Sequence, residues 1–149
     1  MRFLKLTLNH CDAVPFDIIG VKIRHGKMYH IVQTTAGVKI VVAKCENCPL
    51  YRLLTTGYVA KGPIFEGRKV VIVVRDSRAV RQVVETYRGR IVEALRLSDL
   101  TLTPRQREVL RQVAGGYSLS DVADKYGVSK SAVYKHFKKA LRKVVTLLT

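Results

Sequence analysis

Near residue 100 the spacing of apolar residues in this 149-residue chain changes character, and that change limits the folds open to it. Before it, apolar residues come in short β-branched runs at 3–8, 18–24, 29–34, 38–43 and 69–75. Gly20, Gly26, Gly37 and Gly67 stand at or near their ends, where turn residues belong. After it, apolar residues recur every three or four positions, the period of a helix with one buried face. A chain so divided reads as a β-rich unit followed by an all-helical one, with expected domains 1–98 and 99–149.

In the first unit Val70, Val71, Ile72, Val73 and Val74 are apolar on both faces of their strand, which predicts a central position in a sheet. Two helices interrupt the strands. One starts around Pro49 and carries Leu50, Leu53 and Leu54. The other follows the capping residues Asp76 and Ser77, and aligns Val80, Val83, Val84 and Tyr87 on one stripe. Gly89 ends it, and residues 90–97 read as a returning strand. Strand, helix and strand over 69–97, with a short helix ahead, predict an α+β sandwich of ferredoxin-like type.

Residues 98–103 read as a polar hinge. Thr103-Pro104-Arg105-Gln106 is then a strong helix start: Thr103 caps, Pro104 suits the first helical position, and Gln106 returns the capping-box bond. The first helix buries Val109, Leu110, Val113 and Ala114 and stops at Gly115-Gly116. Ser118 caps a second helix with its stripe at Leu119, Val122, Ala123 and Tyr126. Ser129 caps a third, with Val133, Phe137, Ala140, Leu141, Val144 and Leu148 facing inward.

The last two helices meet the demands of a helix-turn-helix. A small residue, Ala123, stands where the helices cross. Gly127, four positions on, supplies the positive φ that opens the turn. Val133, six further on, anchors the third helix, and Val128 plugs the turn. An isolated Ala-x-x-x-Gly is weak; four requirements met in register with both helices capped is specific.

Charge points the same way. Against 27 Lys and Arg stand only 11 Asp and Glu, for a formal net charge of +16. A charge-rich surface of the thermophilic kind brings Glu along with its cations; this excess suits a polyanion. No acid follows Asp124, whereas a merely solvated helix face mixes signs. Lys130, Ser131, Tyr134 and Lys135 are the candidate base-reading residues. Lys138, Lys139, Arg142 and Lys143, with Thr103, Arg105, Gln106 and Ser129, are the remaining candidate contacts to double-stranded DNA. One helix-turn-helix offers few base contacts, so a homodimer is expected.

The stretches Leu102-Thr103-Pro104-Arg105-Gln106-Arg107-Glu108-Val109-Leu110 and Ser129-Lys130-Ser131-Ala132-Val133-Tyr134-Lys135-His136 resemble the C-terminal module of archaeal regulators of the bacterio-opsin activator type. They are also similar to the helix-turn-helix of LuxR-type response regulators and of sigma-factor C-terminal domains. The archaeal members often carry a longer aromatic segment where this chain has Gly115-Gly116-Tyr117. The first half, with its cysteines before a helix and Asp76-Ser77-Arg78-Ala79-Val80 after a strand, is similar to sensor-like domains that precede the module in crenarchaeal relatives. That resemblance implies a small regulatory or dimerising domain.

Three cysteines do not make a secreted disulfide framework. Cys45 and Cys48 are spaced for a metal or a reversible disulfide, and His10 and Cys11 are candidate partners, with His25 or His30 as substitutes, for a zinc ion. The competing reading is that the cysteines are small buried hydrophobes. Pro63 follows too closely for the distant proline loop of a thioredoxin. No apolar run approaches the roughly 20 residues of a membrane span, which predicts a cytoplasmic protein. No nucleophile-base constellation, phosphate loop or acid pair is present, so an enzyme is not expected. Two other classes remain: an RNA-binding protein with a basic α+β platform, and a metal or redox protein whose helix-turn-helix mediates protein contacts.

Overall fold

The computed structural model describes residues 1–10 and 12–148, and the chain divides into two compact units, Met1–Leu95 and Arg96–Thr149. The expected strands form: β1 (Arg2–Asn9), β2 (Asp17–Arg24), β3 (Lys27–Thr34), β4 (Gly37–Ala43), β6 (Lys69–Arg75) and β7 (Arg90–Arg96), with α1 (Pro49–Thr56) and α2 (Arg78–Thr86) between them.

One further strand, β5 (Val59–Glu66), occupies a segment whose Lys61-Gly62-Pro63 reads as a turn. Proline is tolerated at a sheet edge or a bulge, and β5 is both: it is the outer strand of its sheet, and its register with β6 shifts between Lys61 and Ile64. Gly62 has φ +95°, and a Cβ there would lie 2.9 Å from the Val71 carbonyl oxygen, so only glycine fits. Gly20 also differs from expectation, lying inside β2 beside a register shift rather than at its end.

Four strands make one sheet in the order β5-β6-β1-β7, and β2-β3-β4 make a second. β1 and β6 pair antiparallel from Phe3 opposite Arg75 to Asn9 opposite Lys69. Strand β6 is buried from Val70 to Val74, as its two-sided apolar pattern predicts. Leu4, Leu6 and Leu8 of β1 and Val70, Ile72 and Val74 of β6 build a core with Leu50 and Leu53 of α1 and Val80 and Val84 of α2. Ser77 caps α2 by accepting from the Val80 N–H, while Asp76 holds Arg81 through two 2.7 Å bonds. Those bonds keep the Asp76 carboxyl below its ordinary pKa. A smaller core of Val14, Ile18 and Val32 underlies the three-stranded sheet.

In the second unit the expected hinge contains a short helix, α3 (Leu97–Leu100), whose Asp99 carboxylate accepts from the Arg96 N–H. Then come α4 (Pro104–Ala114), α5 (Leu119–Tyr126) and α6 (Lys130–Leu148). Val109, Val122, Ala123 and Val133 form their core, flanked by Val113, Leu119, Tyr126 and Phe137. Among the described residues no helix is long and apolar enough to cross a membrane.

Candidate nucleic-acid interface

The helical unit is set by local bonds. Thr103 Oγ1 accepts from the Gln106 N–H at 3.2 Å while Gln106 Oε1 accepts from the Thr103 N–H at 3.1 Å, closing the box at the start of α4. Ser118 and Asp121 repeat the device at α5, and the bonds from Ser118 hold the Asp121 carboxyl below its usual range. Gly127 ends α5 in the left-handed region, φ 60° and ψ 37°, and the Val128 N–H turns back to the Ala123 carbonyl at 3.1 Å. Ser129 Oγ then accepts from the Ala132 N–H as α6 begins. Ala123 is 3% exposed where α5 and α6 pack, and Val133 2%.

This frame turns one face of α6 outward. Lys130, Ser131, Tyr134, Lys135, Lys138, Lys139 and Arg142 are all exposed, as is Ser129. Six of them, from Ser131 to Arg142, line a shallow groove of about 490 Å3. Among the described residues no ion pair engages any of its cations. The face is therefore a row of donors of one sign, with one phenol at Tyr134. Unpaired cations in a row suit phosphates, and Ser131, Tyr134 and Lys135 add donors and acceptors of the kind that read base edges.

Other candidate residues fall elsewhere. Gln106 is 5% exposed, and its Oε1 also accepts from Lys143 Nζ at 2.9 Å. Lys143 gives a second bond to the Thr101 carbonyl at 2.8 Å. Both residues are thus committed to tying α6 to the start of α4, and neither faces outward as a DNA contact. Thr103 is exposed, with its hydroxyl engaged in the cap. Arg105 is exposed and lies over the Tyr126 ring, 4.2 Å from its centroid. His136 is exposed on α6.

Tyr126 belongs to a network that sequence patterning did not single out. Glu108 Oε1 accepts from Gln112 Nε2 at 2.8 Å and from the Tyr126 hydroxyl at 3.0 Å. These bonds hold Glu108 below the usual carboxylate range, while burial and the Glu108 bond push the Tyr126 phenol up. The spacing Arg105, Glu108, Gln112 puts these side chains on one face of α4, and that was the available signal. The buried stripe is also narrower than expected: Ala114 is exposed, Val128 is 39% exposed, Leu141 44% and Leu148 64%. Val128 therefore does not plug the turn.

In the first unit Cys45 and Cys48 are 7% and 4% exposed and belong to the main core. The Cys48 N–H donates to the Cys45 carbonyl at 3.0 Å, so the pair spans one tight turn ahead of α1. His10 is also buried, and its backbone N–H donates to the Arg68 carbonyl at 3.0 Å. Cys11 lies outside the described residues. Among the described residues no group of three or more His, Cys, Asp or Glu side chains is gathered as a metal site. His25 sits in the β2–β3 turn, and His30 is buried on β3.

Residues 100–146 match the family of bacterial regulatory proteins described as GerE, luxR family. Neither the curated proteins nor the solved structures offer a match to the chain. The matched span runs from the end of α3 through nearly all of α6 and contains both capping boxes, the Gly127 turn and the basic face. Residues 100–146 are a helix-turn-helix DNA-binding domain of the GerE/LuxR type.

Proposed function

We propose that the protein is a sequence-specific regulator of transcription that lays the first half of α6 in the major groove of duplex DNA. The observation that carries this reading is the single-signed, unpaired face of α6, held outward by a capped helix-turn-helix. Lys130, Ser131, Tyr134 and Lys135 read base edges. Lys138, Lys139 and Arg142 bind phosphate, joined by Ser129, Thr103 and Arg105. Gln106 and Lys143 are left out because their polar atoms are engaged inside the unit. The activity is binding, not catalysis, and its place is the cytoplasm.

The finer features follow as parts of the same proposal. The stretches 102–110 and 129–136 support a relation to regulators of the bacterio-opsin activator type. The succession β1-α1-β5-β6-α2-β7 with sheet order β5-β6-β1-β7 supports a ferredoxin-like first unit into which β2-β3-β4 is inserted. Two copies act together, because paired half-sites supply the specificity that one recognition helix lacks.

Selection of binding sites from a random duplex library, followed by salt titration on the selected site, tests the function. Tyr134→Ala or Lys135→Ala should cost about 1–3 kcal/mol on that site and relax its sequence preference. Lys138→Ala should weaken all sequences alike and lower the salt slope by about 0.9. Undiminished discrimination by the Tyr134 and Lys135 variants, or a preference for single strands or RNA over duplex, would overturn the reading.

A further inference from the structure

The three-stranded sheet turns one face to the core, and its other face, polar at Lys22, Arg24 and Gln33, is apolar along β4. Val38, Ile40 and Val42 alternate along β4 and are 59%, 68% and 52% exposed, whereas Val41 and Ala43 between and beyond them pack inward. Register brings Ile31 and Tyr29 of β3 opposite Ile40 and Val42. Ile19, at the irregularity in β2, adds a side chain 56% exposed. A solvated antiparallel sheet carries polar residues on its outer face. β4 is also a sheet edge, with no proline, no register shift against β3 and Lys39 as its one charge. Of the usual devices that keep an edge from pairing, Lys39 alone is present.

We propose that β4 is a dimerisation strand, pairing antiparallel with β4 of a second copy about a two-fold axis at Ile40, so that two three-stranded sheets join into one of six strands. Thr34 and Gly37 face each other across a two-residue turn, and the closing pair of such a hairpin exchanges hydrogen bonds. Counting on in twos, Lys39, Val41 and Ala43 bond to β3, while Val38, Ile40 and Val42 direct their N–H and C=O groups at the open edge. The three residues with exposed apolar side chains are thus the three with backbone groups to offer.

Self-pairing must match those three with one another. Centred on Ile40, the middle of the seven-residue strand, it uses the whole of β4. It sets Ile40 against the partner's Ile40, Val38 against the partner's Val42, and Lys39 against the partner's Val41. Moving the axis to Lys39 brings two ammonium groups face to face, and moving it to Val41 shortens the overlap and sets Val38 against the partner's Lys44. An isologous contact needs one self-complementary patch, and this register alone supplies it along the full strand without a like-charge pair. That self-complementarity is why the occupant is a second copy.

The inference rests on the two-copy reading above and names its surface, and it is tested without DNA. One edge strand buries less than the roughly 800 Å2 per partner of a standard interface, so the dimer is of micromolar strength. Each copy also carries a formal +16. Apolar association between like-charged molecules tightens as salt screens their repulsion, the opposite of DNA binding. Sedimentation equilibrium of the full chain from about 1 to about 200 µM should show a monomer–dimer equilibrium that strengthens with salt.

Ile40→Lys should raise the dissociation constant at least about tenfold, with circular dichroism and melting unchanged. On oxidation, Ile40→Cys should give a covalent dimer absent from the wild type. Val38→Cys alone should not, because its two copies would stand about 13 Å apart, beyond the roughly 7 Å reach of a disulfide. Val38→Cys with Val42→Cys should cross-link. A wild type monomeric throughout overturns this surface, and with it the two-copy reading where two copies also fail to assemble on duplex DNA. A dimer untouched by Ile40→Lys, or cross-linked as well through Val38→Cys alone, overturns the surface and leaves the two-copy reading standing.

Discussion

Gln106 separates the sequence reading from the structural one. As a residue of the first helix in a basic module it is a candidate DNA contact; in the fold it is a buried cap. Gln106→Leu keeps the volume and removes the amide. It deletes the bond to the Thr103 N–H, worth about 1 kcal/mol, and the bond from the Lys143 ammonium, worth about 1.5–3 kcal/mol. Added apolar burial returns about 1 kcal/mol. Lys143 keeps the Thr101 carbonyl, so its charge is not stranded. The net loss is then about 2 kcal/mol, or roughly 10 °C in melting temperature for a unit this small.

Urea unfolding of the full chain followed at 222 nm, where helices dominate, reads the loss. Duplex binding measured far below the transition should be unchanged. Stability within about 0.5 kcal/mol of wild type, or intact stability with weakened DNA binding, would refute the assignment. Lys143→Met checks the same joint from α6. It should destabilise while leaving the salt slope of DNA binding unchanged, since a lysine bonded to two protein oxygens has no phosphate to release ions from.

Three further outcomes are expected. Gly127→Ala meets no atom within 4 Å and so should cost only the strain of a left-handed residue, about 1–2 kcal/mol, read as a lower melting temperature; no loss would mean the turn has another geometry. His30 is 2% exposed, and burial lowers its pKa below the ordinary 6.5, with His10 adding to the shift and a backbone bond to Val41 opposing it. Stability should therefore be complete above about pH 6.5 and fall as pH drops through that value toward the folded pKa, a slope that His30→Leu should flatten in melts between about pH 5 and 7.5. Cys45→Ser with Cys48→Ser should destabilise the first unit by about 2–4 kcal/mol yet leave DNA affinity equal when reduced, oxidised or zinc-treated. A shift of about fivefold or more among those states would instead show that a metal or a disulfide at these cysteines gates DNA binding.

The two units were unequally legible, and the reason is the range of the interactions that define them. The helix-turn-helix is specified by signals three or four residues apart: Thr103 with Gln106, Ser118 with Asp121, Ala123 with Gly127. Such signals survive in a bare sequence because the chain closes them locally, and the exposed face of α6 follows once Val133 is placed. What failed there was non-local. Lys143 sits among surface lysines by pattern, and only the fold brings Thr101 and Gln106 to its ammonium. Leu141 fits the inward stripe by period, yet no neighbour closes over it, and it stays 44% exposed.

In the first unit the strands could be read but not their arrangement, because sheet order depends on pairings such as Phe3 with Arg75 that no local pattern encodes. β5 was hidden by a Gly-Pro step that an edge strand accommodates. β4 shows the same limit from the other side. Residues 38–43 predict a strand, but alternation cannot tell an apolar face that meets the core from one that meets solvent, and the fold gives Val38, Ile40 and Val42 to solvent. A run that reads from sequence only as an apolar strand is, in place, an open edge, and what pairs with that edge is what would account for its apolar outer face.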